Sequence, residues 1–367
     1  MTQAFTSQTL TETGAKSRDG HDRAVAVWLL ISAAMIFVMV LLGGITRLSG
    51  SGLSIMEWKP LMGALPPMST AEWERVFALY REISQYKNVN HGMSLSEFQG
   101  IFWWEYSHRL WGRLIGIVFF LPFLYFLLRG YLRKAPGKPN LAPKLSAIFL
   151  LGALQGGIGW YMVASGFEDR DSVSQYRLVL HLGLALVIYA LILWAALDLL
   201  QPRAIGGNAA TARPLRRHAI LLLILVAIEL CLGGLVAGLH GGRVYTDFPL
   251  MNGDLVAPDV FALSPWWTNV TENPGGAQFF HRIGALLITL TSLALVWRAW
   301  RSEVPDLIRS RMLLLVLALI LQVGLGVSTL ILVVPLPLAV AHQGGAVVLL
   351  SATLFALHGL KRMETRA

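Results

Sequence analysis

Eight long apolar runs, at 24–46, 108–128, 145–165, 178–199, 219–239, 279–300, 312–333 and 336–357, are separated by segments that hold nearly all the charged residues. Each run is close to the roughly 20 residues a helix needs to cross a bilayer. A transmembrane barrel would show segments of about ten residues with alternating polarity, and none is present. The pattern predicts an all-α integral membrane protein with eight transmembrane helices.

Composition agrees. The 367 residues are 55% hydrophobic and 14% charged, against roughly 45–50% and about 25% in soluble domains. The single Cys231 closes no intramolecular bridge, which removes the disulfide-scaffold class. The formal charge of +9 would suit nucleic acid, but the basic residues are sorted by loop. Lys16, Arg18 and Arg23 precede span 1; Arg129, Arg133, Lys134, Lys138 and Lys144 follow span 2. Arg203, Arg213, Arg216 and Arg217 follow span 4; Arg298, Arg301, Arg309 and Arg311 follow span 6; Lys361, Arg362 and Arg366 end the chain. These are 19 of the 30 basic residues, all on one side. The positive-inside rule therefore predicts that both termini are cytoplasmic, with lipid headgroups rather than nucleic acid as the partner of these charges. Glu12, Asp19 and Asp22 make the first 23 residues unlike a transit peptide, and the first run is too long for a signal h-region. A retained first span in a bacterial cytoplasmic membrane is expected.

An internal repeat divides the chain. Leu42-Gly43-Gly44 recurs as Leu232-Gly233-Gly234, and Pro60-Leu61-Met62 as Pro249-Leu250-Met251. His108-Arg109 recurs as His281-Arg282, Leu154-Gln155 as Leu321-Gln322, and His181 as His342. Four spans separate the copies, so they run parallel, unlike the inverted repeats of many transporters. The expected architecture is two pseudo-symmetric four-helix bundles: a tail at 1–23, an N-terminal half at 24–200, a cytoplasmic linker at 201–218, a C-terminal half at 219–360 and a tail at 361–367.

His108, His181, His281 and His342 lie near the outer ends of spans 2, 4, 6 and 8, in one leaflet. An intramembrane histidine is costly unless it is paired, ligating or facing a cavity. Four of them at matching repeat positions, two per bundle, fit the axial positions of heme irons in bundle cores. Zinc is the weaker option, because nothing supplies its remaining ligands. His21, His91, His218 and His358 sit in tails, loops or cytoplasmic ends, and His240 closes span 5 on the outer side.

The halves differ beside the histidines. Glu105 stands three residues before His108, on the same helix face, where the second half has Gln278. A carboxylate beside an apolar pocket can accept a proton and an amide cannot; the plainer reading is a cap or an ion pair with Arg109. Arg47, Arg109 and Arg113 have Ala237, Arg282 and Leu286 as repeat partners, and are read as propionate partners or snorkelling cations. The two long outer loops are candidate lids, with Trp103-Trp104 read as interfacial aromatics. Glu229, in the middle of span 5, has no partner legible in sequence.

The stretches 42–54, with Leu42-Gly43-Gly44-Ile45-Thr46-Arg47, and Glu57-Trp58-Lys59-Pro60 resemble the heme A synthase family. So do Glu105-Tyr106-Ser107-His108-Arg109-Leu110-Trp111-Gly112-Arg113, His181, His281-Arg282 and Ala341-His342-Gln343. The resemblance covers nearly the whole chain and is closest to the mitochondrial and alphaproteobacterial type. It implies oxidation of the C8 methyl of heme O to a formyl group by two successive hydroxylations, giving heme A for cytochrome oxidase. It further implies a resident heme b on His281 and His342. Substrate heme would then lie by His108, His181, Arg47, Arg109 and Arg113, with Glu105, His108 and His181 catalytic. Heme O synthase, oxidase assembly factors and an electron-transfer partner are the implied associates, and a homo-oligomer is compatible. Cysteine pairs found in other members are absent from this sequence, so no thiol step carries over. The rival readings are a bis-histidine diheme electron-transfer cytochrome b and a heme-handover protein.

Overall fold

A computed structural model of the chain describes residues 2–57, 63, 65–133, 140–167, 171–201 and 205–364. Trp58, Lys59, Pro60, Leu61 and Met62, with Lys134, Lys138, Arg203 and Arg366, lie outside the described residues. The fold is all-helical: among the described residues the only bridge of β type joins Met251 to Asp254. Eight helices are long and apolar enough to cross a membrane. They are α1 (Thr2–Leu48), α4 (Leu95–Leu128), α5 (Ala142–Ala164), α6 (Gln175–Leu200), α7 (Ala209–Gly238), α9 (Pro274–Trp300), α10 (Asp306–Ile331) and α11 (Leu336–Glu364). Three short helices, α2 (Thr70–Arg81), α3 (Ser84–Asn88) and α8 (Thr268–Thr271), belong to the two long loops.

Three helices begin well before the runs that announced them; α1 already starts at Thr2, within the expected tail at 1–23. Helix α4 starts at Leu95 rather than near 108, because Ser94 and Glu97 form a reciprocal capping box. Between the cap and His108, Phe98 and Phe102 are both buried, but Ser96, Glu97, Gln99, Gly100, Glu105 and Ser107 interrupt the apolar run, so hydropathy alone passes over this stretch. Trp103 and Trp104 are therefore helical residues, 45% and 41% exposed, rather than loop residues. Helix α7 starts at Ala209, where the Asn208 side chain accepts from the Ala210 amide, which takes most of the expected 201–218 linker into the helix.

Helices α1, α4, α5 and α6 pack as one closed ring, each against its neighbours, and α7, α9, α10 and α11 pack as another. The rings meet where α1 and α6 face α7 and α11. At one end of this seam Asp198 of α6 receives Arg362 at 2.9 Å and lies 3.1 Å from Nε2 of the fully buried His358, both on α11. Arg311 of α10 donates to Phe355 O at 2.9 Å and to Gln201 Oε1. At the other end the seam closes on glycine: a Cβ at Gly44 would meet Gln343 Oε1 at 2.7 Å, and one at Gly234 would meet Val179 at 2.9 Å. The Gln343 amide donates across it to Val40 O at 2.8 Å.

Each long loop carries its own small core. Loop 1 packs Phe77, Tyr80 and Ile83 against Phe98 and Phe102 of the α4 extension. The second packs Met251, Ala257 and Val260 together with Tyr245 and Phe279. Asn269 and Asn273 satisfy the backbone of this loop at Leu263, Trp266 and Asp259. Asp247 caps its turn by accepting the Asn252 and Gly253 amides, which hold its carboxyl below the usual carboxylate range.

Candidate functional site

Every one of the four histidines lies on a glycine of the helix before it. A Cβ at Gly43 would meet His108 Cε1 at 3.1 Å, at Gly159 His181 Cε1 at 2.9 Å, at Gly233 His281 Cε1 at 3.2 Å, and at Gly326 His342 Cε1 at 2.8 Å. A side chain at these places would crowd the imidazole, so the small residue is what lets the Cε1 edge of the ring approach the neighbouring backbone. Gly43 and Gly233 come from the repeated Leu-Gly-Gly. In each copy the first glycine seats the histidine of its own ring and the second admits the opposite ring. The four imidazoles therefore stand at one level, at one end of the bundles, and all are half-buried.

In the second ring the centroids of His281 and His342 are 6.3 Å apart with planes at 85°. A metal ion held through bonds of about 2.0 Å, with each ring centre roughly 1.1 Å behind its bonding nitrogen, calls for centres about 6 Å apart. The pair has the spacing for bis-imidazole ligation. Among the described residues no group of three His, Cys, Asp or Glu side chains converges as a metal site. Two facing histidines fit heme iron, whose other ligands come from the macrocycle.

In the first ring His108 Nδ1 is buried without a hydrogen-bond partner. His181 is met by Gln155, whose amide nitrogen donates to His181 O at 2.9 Å and lies 3.1 Å from its Nδ1. Gln155 was not singled out from sequence. The signal was present in the repeated Leu-Gln of Leu154-Gln155 and Leu321-Gln322, and Gln322 likewise approaches the His342 helix, where a Cβ at Gly345 would meet its Oε1 at 2.4 Å.

Glu105 is 2% exposed, and its carboxylate is fully engaged. Oε1 accepts from Arg109 Nε at 3.0 Å and Nη2 at 2.5 Å. Oε2 accepts from Ser54 Oγ and from the Ile55 amide, both at 2.8 Å. Four donors fill the lone-pair positions of a carboxylate. Arg109 also donates to Ile55 O at 2.8 Å and Glu57 O at 3.3 Å, so the pair pins the start of loop 1 over the first ring. The second ring has the same device without the carboxylate. Gln278 donates to Tyr245 O at 2.8 Å, and Arg282 donates to Leu250 O at 2.7 Å, Asp247 O at 3.1 Å and Tyr245 O at 3.2 Å. His-Arg at each helix entrance thus divides the labour, with the histidine toward the bundle and the arginine in the lid.

Of the other two arginines, Arg113 is half-buried one helical turn beyond Arg109. Arg47 leaves its own ring: its guanidinium donates to Ala237 O at 3.0 Å and Gly238 O at 3.3 Å, the closing carbonyls of α7, and lies 3.0 Å from His240 Nε2. A cation there suits the negative end of the helix. Burial, with Arg47 and Arg243 alongside, holds His240 below the usual imidazole range, so it accepts from Arg47 as the neutral ring. Glu229, for which the sequence offered no partner, places Oε1 at 2.8 Å from His281 Nδ1.

Residues 26–354 match the COX15-CtaA family, described as cytochrome oxidase assembly protein. The chain is 48% identical to the heme A synthase of Rhodospirillum centenum over 94% of its length and 90% of that protein. It is 50% identical to that of Nitrosospira multiformis, over 93% and 94%, and 44% identical to that of Parvibaculum lavamentivorans, over 94% and 96%. With bacterial relatives and eight apolar helices, it is a multi-pass inner-membrane protein. Matched over most of its length and carrying its histidines on a repeated set of glycine seats, the chain belongs to the COX15-CtaA family of cytochrome oxidase assembly proteins.

Proposed function

We propose that this protein is a membrane oxidoreductase that converts heme O to heme A for cytochrome oxidase. In this reading the C8 methyl is hydroxylated twice and the resulting diol loses water to give the formyl group. The second ring holds a resident heme b on His281 and His342; the first ring holds the substrate by His108 and His181. The observation that carries the two-site reading is the set of four glycine-seated imidazoles at one level, two per ring. A transmembrane electron carrier needs a heme near each face, which this arrangement does not provide. Hemes extracted from the purified protein and separated by chromatography should comprise heme b together with heme O, its hydroxylated intermediate or heme A. Heme b alone would favour the electron-carrier or handover readings.

When bound, the resident heme supplies one-electron transfer. The chain's own residues orient the substrate, exclude water and move protons. His108 and His181 fix the macrocycle, and the two lids pinned by Arg109 and Arg282 close the outer end. For Glu105 to take a proton from water at the methyl carbon, Ser54 and Ile55 must first release Oε2, which ties proton transfer to movement of residues 54–57. Heme O synthase, oxidase assembly factors and an electron donor are the partners this chemistry requires.

The orientation that follows from the basic loops is both termini in the cytoplasm and the four histidines toward the outer leaflet. Reporter fusions should place Arg133, Arg216 and Arg309 inside and Asp254 outside. An outward Arg216 would reverse the assignment and move both lids to the cytoplasmic face.

A further inference from the structure

Glu229 stands far from either end of α7, and a carboxylate at that depth persists only with a partner or a function. Its Oε1 is 2.8 Å from His281 Nδ1, with 14% of the side chain exposed. Its other oxygen turns to α9, where Gly284 makes the room: a Cβ there would meet Oε2 at 1.9 Å. The first ring has neither residue. The repeat register puts Met39 in the place of Glu229 and Trp111 in the place of Gly284. Met39 ends against Gly112, and the Trp111 indole donates to Met35 O at 2.8 Å. A carboxylate and the gap that admits it occupy one ring; a thioether and an indole occupy the other.

We infer that Glu229 is a positioning residue acting through His281, setting its tautomer, ring orientation and donor strength, and thereby lowering the reduction potential of the heme in the second ring. The inference rests on the reading of that ring as the resident heme site. An imidazole bonding iron through Nε2 keeps its proton on Nδ1, the side of His281 on which the Glu229 carboxylate lies. Negative charge beside that proton strengthens Nε2 as a donor and favours the ferric state, which carries one more positive charge. The repeat register gives His108 the thioether of Met39 in the place of that carboxylate. With axial pairs otherwise alike, an electron arriving at the second ring is directed toward the first.

The test is redox titration of the purified full-length protein, followed by visible absorption. Glu229→Gln keeps the shape and removes the charge. It should retain the low-spin spectrum and move the ferric-to-ferrous ratio about tenfold toward ferrous at fixed ambient potential, ~59 mV for a one-electron couple. Glu229→Asp should recover at least half of that shift. An unchanged midpoint in Glu229→Gln with heme bound overturns the inference. If Glu229→Gln does not purify, Glu229→Met, which copies the first ring, is read in the same way. Should either variant lose its heme, retention by Glu229→Asp supports the role, and loss there too overturns it, because the site then requires shape rather than charge. His281→Ala separates the two failures. A heme b spectrum untouched by that substitution defeats the assignment of the resident site; one abolished by it, with a midpoint indifferent to Glu229→Gln, defeats only the role of Glu229.

Discussion

Replacing His281 or His342 with alanine should strip the low-spin heme b spectrum from the purified protein. His108→Ala and His181→Ala should leave that spectrum mostly intact and abolish heme A formation. The expected loss in the second ring exceeds about tenfold, since even residues that merely support a metal ligand cost 10–100-fold in affinity when removed. The seats sharpen the experiment. Because the imidazole of His342 rests on Gly326 and that of His281 on Gly233, no side chain beneath either ring can collapse into the space it leaves. Alanine there should open a ring-sized cavity, and added imidazole should restore the low-spin spectrum. A resident spectrum lost through the first ring alone would exchange the cofactor and substrate halves.

The second large effect is expected at Glu105. Glu105→Gln should lower turnover by about 10² to 10⁴, the range for a lost general base, with heme O or the singly hydroxylated heme accumulating. The geometry adds a second route to the same loss. An amide in that place turns a donor toward the Ser54 hydroxyl, the Ile55 amide or Arg109, and breaking a buried ion pair costs roughly 3–5 kcal/mol. Ser54→Ala separates the roles. It frees one acceptor position on Oε2 while keeping the carboxylate and its pair with Arg109. If Glu105 takes the proton, turnover in Ser54→Ala holds or rises. If the carboxylate only fastens the lid, turnover falls and hydrogen exchange at residues 54–57 rises. Near-normal heme A production by Glu105→Gln would remove both roles.

The eight spans were legible because an apolar run long enough to cross a bilayer has few other uses. The start of α4 was not, since polar residues from Ser96 to Ser107 interrupt the apolar positions that pack under loop 1, and the hydropathy pattern does not show that lid. The capping signature Ser94 with Glu97 was readable, and it marks the true beginning. His108, His181, His281 and His342 could be matched from sequence by the repeat. The glycines that hold them could be seen as repeated but not as seats, because contact between helices is not written in any one of them. Arg47 reads with the first site through the repeat and the 42–54 stretch; that its guanidinium also meets the closing carbonyls of α7 is not legible in sequence. Glu229 was opaque for the opposite reason: the repeat helps only where the copies agree, and here Met39 replaces it.

The paired glycines 43 and 44 have a mechanical consequence. They are consecutive on one rigid helix; one carries the ring of His108 and the other carries Gln343, the neighbour of His342. A change in how α11 packs on α1 therefore reaches Gln343 and the ring of His108 through one pair of adjacent glycines. A bulkier residue at either position should be felt by both histidine pairs at once.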